Sequence, residues 1–232
     1  MKRLFILPML LVGLELLAQK TVADDQEPIP EKIIKENVAM EGASRLSLEF
    51  PYAGDIRLHN TDGNEIEVYV NAMINDGQNN EVYELIIDKE GDRIFIGSDK
   101  KRLDDFFKRS PSKKYNYCYR NEITVEISIP RDMTVDVESI SGDVTGELRS
   151  KSYTIKTIAG DIDLTVPDQT GAEVYASTIS GAMYADVELD HLDGKEGLRQ
   201  IVGEKIHVNV NNGGEAHHLE TISGDVMLRA GE

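Results

Sequence analysis

The chain has 232 residues, with 42 acidic side chains against 25 basic ones and a formal net charge of −17. Such a charge repels phosphate backbones and excludes nucleic acid as a natural partner. Apolar residues make up 40% of the sequence, which excludes wholesale disorder, and the single cysteine, Cys118, excludes an intrachain disulfide and a cysteine-based metal cluster.

At the N-terminus, Lys2 and Arg3 precede a mostly apolar stretch from Leu4 to Leu17, and Ala18 offers a small residue for cleavage. This is the pattern of a secretory signal peptide over 1–18. The stretch is too short to span a bilayer, and no later segment is apolar enough to do so. The expected location is periplasmic, outer-surface or secreted, with no membrane span after cleavage. Residues 19–45 open on Asp24, Asp25, Glu27, Pro28 and Pro30 and read as a mobile acidic leader.

Over 46–130 a period-2 alternation sets in, carried by Leu46, Leu48 and Phe50, then Ile66, Val68 and Val70, then Leu85 and Ile87, then Ile94 and Ile96, and most clearly by Ile123, Val125, Ile127 and Ile129. Alternation puts one face inward and one outward, so this is an N-terminal β-rich part. Asp62-Gly63, Asp76-Gly77 and Glu90-Gly91 fall between the runs as turns. A basic insertion at 98–114 interrupts the strands, with seven Lys or Arg against three Asp; Leu103, Phe106 and Phe107 are spaced for one helical turn within it. Cys118 sits in the strand-like run 115–119 and is expected as a small buried hydrophobe.

Residues 131–232 contain an internal repeat. Ser-Ile-Ser-Gly-Asp-Val at 139–144 is followed by Thr-Ile-Ala-Gly-Asp-Ile at 157–162, Thr-Ile-Ser-Gly-Ala-Met at 178–183 and Thr-Ile-Ser-Gly-Asp-Val at 221–226. A degenerate copy, Gln-Ile-Val-Gly-Glu-Lys, stands at 200–205. Gly142, Gly160, Gly181, Gly203 and Gly224 are spaced by 18, 21, 22 and 21 residues, and Ile140, Ile158, Ile179, Ile201 and Ile222 each precede one by two. An apolar residue (Val137, Ile155, Ala176, Leu198 or Leu219) stands five before each glycine. A period of about twenty residues makes one coil of a solenoid, which buries its apolar face only by stacking on its neighbours. The expected fold class is therefore all-β: a parallel β-solenoid, with the five isoleucines as a ladder inside it and the glycines at the corners. Asp143, Asp161 and Asp225 are expected to bond backbone at those corners. A calcium ladder is disfavoured because Ala182 and Glu204 break the row.

These strings, with Glu122–Arg131 ahead of them and Gly-Asp-Ile at 54–56, resemble the bacterial putative adhesin domain family, a domain of unknown function built of Ser-Gly-Asp β-repeats in envelope proteins. The resemblance covers about residues 45–232 and departs from the pattern at Ala182 and Glu204. It implies a β-solenoid, export and an adhesin-like role, and it brings no catalytic residues.

Neither a Gly-x-Ser-x-Gly elbow, nor a His-Glu-x-x-His zinc motif, nor a phosphate loop occurs in the sequence, and no cofactor is implied. His217 and His218 are adjacent, so on a strand they face opposite ways and share no ion. The expected function is that of an exported, non-catalytic envelope or surface scaffold binding protein or glycan partners. Two other classes compete with it. A polysaccharide-acting β-helix enzyme needs acid/base carboxylates and sugar-stacking aromatics; the chain has no Trp, and its repeats offer only Tyr153, Tyr175 and Tyr184. A structural element would self-associate through the solenoid ends. The basic insertion is the expected partner contact, with Lys100, Lys101, Arg102, Lys108 and Arg109 facing an anionic partner and Phe106 or Phe107 as its apolar anchor.

Overall fold

The computed structural model describes residues 30–109, 120–168, 170–192, 200–202 and 205–231. The signal segment, Cys118, the tail of the basic insertion, Leu198, Gly203 and Glu204 lie outside them. Eighteen strands form among the described residues. The first six are β1 (Lys32–Ala39), β2 (Arg45–Glu49), β3 (Asp55–Thr61), β4 (Glu65–Met73), β5 (Leu85–Glu90) and β6 (Arg93–Ser98). After helix α1 (Lys100–Arg109) come β7 (Glu122–Pro130), β8 (Thr134–Glu138), β9 (Asp143–Glu147), β10 (Ser152–Thr157), β11 (Ile162–Val166) and β12 (Ala172–Thr178). The last are β13 (Ala182–Ala185), β14 (Leu189–His191), β15 (Gln200–Val202), β16 (Lys205–Val210), β17 (Glu215–Thr221) and β18 (Val226–Ala230).

The strands form two nine-stranded sheets, ordered β1-β4-β7-β3-β9-β11-β18-β13-β15 and β14-β16-β12-β17-β10-β8-β2-β6-β5. Each sheet is mixed. Pairing is parallel from β7 to β13 in the first sheet. It is parallel from β12 to β6 in the second. The outer pairs of both sheets are antiparallel.

This corrects the expectation of a parallel β-solenoid. A solenoid lays each coil beside the next in chain order. Here β18 lies between β11 and β13, and β17 lies between β10 and β12. Of the degenerate copy at 200–205, the described residues join no parallel ladder: β15 pairs antiparallel with β13, and Ile201 stands opposite Met183. Within 19–45, read from the sequence as a leader, residues 32–39 form β1 and pair with β4.

One apolar core draws on both sheets. Alternation works as anticipated in β7, where Ile123, Val125, Ile127 and Ile129 are buried. It fails in β5, an edge strand where Ile86 and Ile87 are exposed.

The isoleucine ladder faces outward. Ile158 is 47% exposed, Ile179 73% and Ile222 43%, whereas Ile155 is fully buried. Parity is the reason. Ile155 and Ile158 differ by three, an odd number, so an extended chain puts them on opposite faces. The inward ladders are the residues five before each corner glycine (Val137, Ile155, Ala176 and Leu219) and two after it (Val144, Ile162, Met183 and Val226). Ile155→Ala is therefore expected to lower stability by about 2–5 kcal/mol, as buried large-to-small changes do. Ile158→Ala is expected to cost under about 1 kcal/mol, and paired urea denaturation curves measure both.

Candidate functional site

The glycines of the repeat meet at one corner, in the spatial order Gly142, Gly160, Gly224, Gly181. A Cβ on Gly160 would stand 2.0 Å from the carbonyl oxygen of Gly142, one on Gly224 2.2 Å from that of Gly160, and one on Gly181 1.9 Å from that of Gly224. None of these glycines has a positive φ; close approach of backbone to backbone is what requires them. Buried hydroxyls tie the layers together: Thr221 Oγ1 donates to Gly160 O at 2.9 Å and Thr178 Oγ1 to Gly224 O at 2.9 Å.

The aspartates act between layers rather than on their own turns. Asp143 Oδ1 accepts the amide of Asp161 at 2.9 Å, Asp161 Oδ1 that of Asp225 at 2.7 Å, and Asp225 Oδ1 that of Ala182 at 2.7 Å. Ala182 belongs to the last parallel layer, beyond which β15 runs antiparallel, so a carboxylate there would have no parallel neighbour to receive. Among the described residues, no group of three His, Cys, Asp or Glu is placed to hold a metal ion.

On the outside of this corner Ile140, Ile158, Ile222 and Ile179 follow one another, linked by backbone bonds from Ala159 to Ile140, Ser223 to Ile158 and Ser180 to Ile222. Beside the stripe runs a groove of about 410 Å³, lined by Ile140, Ile158, Ile222, Glu138, Lys156 and, from α1, Lys100. The structure thus joins two features that are far apart in sequence, the repeat and the basic insertion.

Helix α1 is longer than the single turn expected, and it is pinned. Asp99 caps it, accepting the amide of Arg102 at 3.0 Å. Leu103 is fully buried, and Phe107 packs edge-on against Tyr52 with ring centroids 5.0 Å apart. The Tyr52 hydroxyl donates to Asp104, and that bond pushes the Tyr52 pKa up to about 12. Of the expected contact residues, Arg102 is held by Glu84 at 2.5 Å, and Phe106 and Phe107 are half-buried. Lys101, Lys108 and Arg109 are exposed, and Lys100 reaches to 3.9 Å from Glu49.

A second cluster escaped the sequence. On the outer face of the second sheet, the rings of His207 (β16), Tyr175 (β12) and His218 (β17) stack in a row, with centroids 4.0 and 4.7 Å apart. Only the Glu173–Tyr175 alternation hints at it locally; the partners lie more than 30 residues on. His217 faces the other way, into the core.

The fold has a solved precedent. A "putative cell adhesion protein" from Clostridium sporogenes superposes with a TM-score of 0.53 at 11% identity, over 87% of this chain and 100% of that one. A "putative adhesin" from Bacteroides fragilis (TM-score 0.22, 12% identity, 86% of this chain and 97% of that one) is too distant in shape to carry an argument. The same holds for a "putative lipid binding protein" from Parabacteroides distasonis (0.25, 10%, 66% and 70%). No family model matches the sequence, and no curated protein sequence matches it significantly. At this identity the clostridial match shows a shared fold.

Two predictions come from the corner and its surroundings. Asp161→Ala leaves the Asp225 amide without its carboxylate, so a loss of about 1–3 kcal/mol is expected on chemical denaturation. His217 is buried, its Nδ1 accepts the Tyr153 amide at 3.2 Å, and burial pushes its pKa down to about 4. The unfolded chain takes up this proton near its ordinary value and the folded protein does not. Stability is therefore complete above about pH 6.5 and falls by about 3 kcal/mol as the pH drops toward 4. His217→Gln should flatten that part of the profile in urea titrations at pH 7 and pH 4.5.

Proposed function

We propose that this chain is an exported, non-catalytic, adhesin-like protein of the bacterial envelope or surface, and that it takes a protein partner at the groove between α1 and the isoleucine corner. The supporting observation is the stripe itself. An isoleucine recurs in four successive parallel layers at a position the core does not use, and contiguous exposed apolar surface of this kind marks interaction sites. Aliphatic side chains without a flat ring suit a protein segment better than a sugar. Lys101, Lys108 and Arg109 are exposed on α1, the helix that lends Lys100 to the groove, and their charge steers acidic groups of the partner toward it. The signal-peptide pattern and the shared fold with a protein described as a putative cell adhesion protein support the surface location.

Protease accessibility on intact cells tests the location: the protein should be cut without lysis if it is surface-exposed and only after outer-membrane disruption if it is periplasmic. Cleavage only after complete lysis would refute export. Binding to envelope fractions tests the groove. Ile158→Ser with Ile222→Ser is expected to weaken it by at least about tenfold without salt dependence. Reversal of Lys101, Lys108 and Arg109 to Glu should weaken it at low salt and make little difference at high salt. Full binding by both folded variants would refute the groove as the site.

A further inference from the structure

The row of rings on the second sheet lies outside the apolar core. His218 is exposed, Tyr175 and His207 are half-buried, and the buried residues on these strands, among them Val174, Ala176, Val208 and Leu219, lie on the opposite face. Yet the row is held in place. Glu173 accepts the Tyr175 hydroxyl at 2.8 Å and meets His207 Nε2 at 2.5 Å. Beside it lies a cavity of about 360 Å³ lined by Tyr175, Ser177, Lys205, His207, His218 and Glu220.

The geometry points to a binding site for a neutral glycan, with Tyr175, His207 and His218 as its fixed aromatic wall. The lining selects the ligand class. A hydrocarbon would strand Lys205, Glu220 and Ser177 without partners. A polyanion would meet Glu173 and Glu220 on a chain of net charge −17. A transition-metal ion finds no common site, because Tyr175 lies between the two imidazoles and Glu173 engages His207 Nε2. A sugar unit presents hydroxyls that both donate and accept, which Lys205, Glu220 and Ser177 answer, and apolar C–H groups that lie against the ring edges of the row and the exposed His218 ring, the two faces of Tyr175 being covered by the imidazoles. The volume is at the low end of small-ligand sites and suits about one or two hexose units. Rings already locked by stacking lose little freedom on binding. The inference rests on the reading of the chain as a binding protein but uses a different wall. The cavity and the groove meet at Glu220, so the test variants leave that residue unchanged.

The full chain is titrated with cellobiose, lactose, N,N′-diacetylchitobiose and mannobiose while the imidazole NMR signals of His207 and His218 are followed. At least one disaccharide should shift both signals saturably in the millimolar range, up to about 10 mM. Tyr175→Ala and, separately, His218→Ala should each weaken that binding by at least about tenfold. His218 is exposed, so its removal tests the site even where the tyrosine variant fails to fold. Ile158→Ser with Ile222→Ser should leave the sugar titration unchanged, which separates this site from the groove. The proposal is overturned if none of the four disaccharides moves the two histidines, or if binding survives in the folded Tyr175 and His218 variants.

Discussion

At the repeat corner the carbonyl oxygen of one glycine occupies the space where the side chain of the next would begin. The ladder hydrogen bonds set the distance between layers, and at this corner only glycine tolerates it. Once the backbones are this close, a carboxylate on one layer reaches the amide of the next, as Asp143, Asp161 and Asp225 do in turn. Threonine hydroxyls satisfy the carbonyls on the inner side. The apolar ladders at Ile155 and Ile162 then stack in register, and the isoleucines one turn of parity away are delivered to the outside. Core, polar corner and exposed stripe are three consequences of one close approach.

The repeat and the strands it implies were readable because they depend on local chemistry: alternation, small corner residues and a carboxylate beside them. Three things were not. The inward face was misassigned because the isoleucine is the most regular apolar residue of the motif, although within one straight strand its odd distance from Ile155 puts the two on opposite faces. The layer order was invisible because a period reports that units are alike, not which unit lies beside which. The spacing of Gly181 and Gly224 is the same whether β18 follows β13 or enters ahead of it. The aromatic row was missed because His207, Tyr175 and His218 become neighbours only through that same rearrangement of strands.

The basic insertion was legible as a departure in charge but not in its attachment. Its phenylalanines and Arg102 fasten the helix to the corner, through Tyr52 on one side and Glu84 on the other. The exposed lysines are therefore presented from a fixed position beside the isoleucine stripe rather than from a free loop.

The placement of β17 and β18 has a consequence for assembly. These late strands fill the middle of both sheets, between β10 and β12 and between β11 and β13. Until residues 215–230 emerge, each sheet holds a gap one strand wide, bordered on both sides by unpaired parallel edges. Such a gap accepts the equivalent strands of any copy of the chain that arrives first. Two copies joined in this way are linked by a swapped β17–β18 layer.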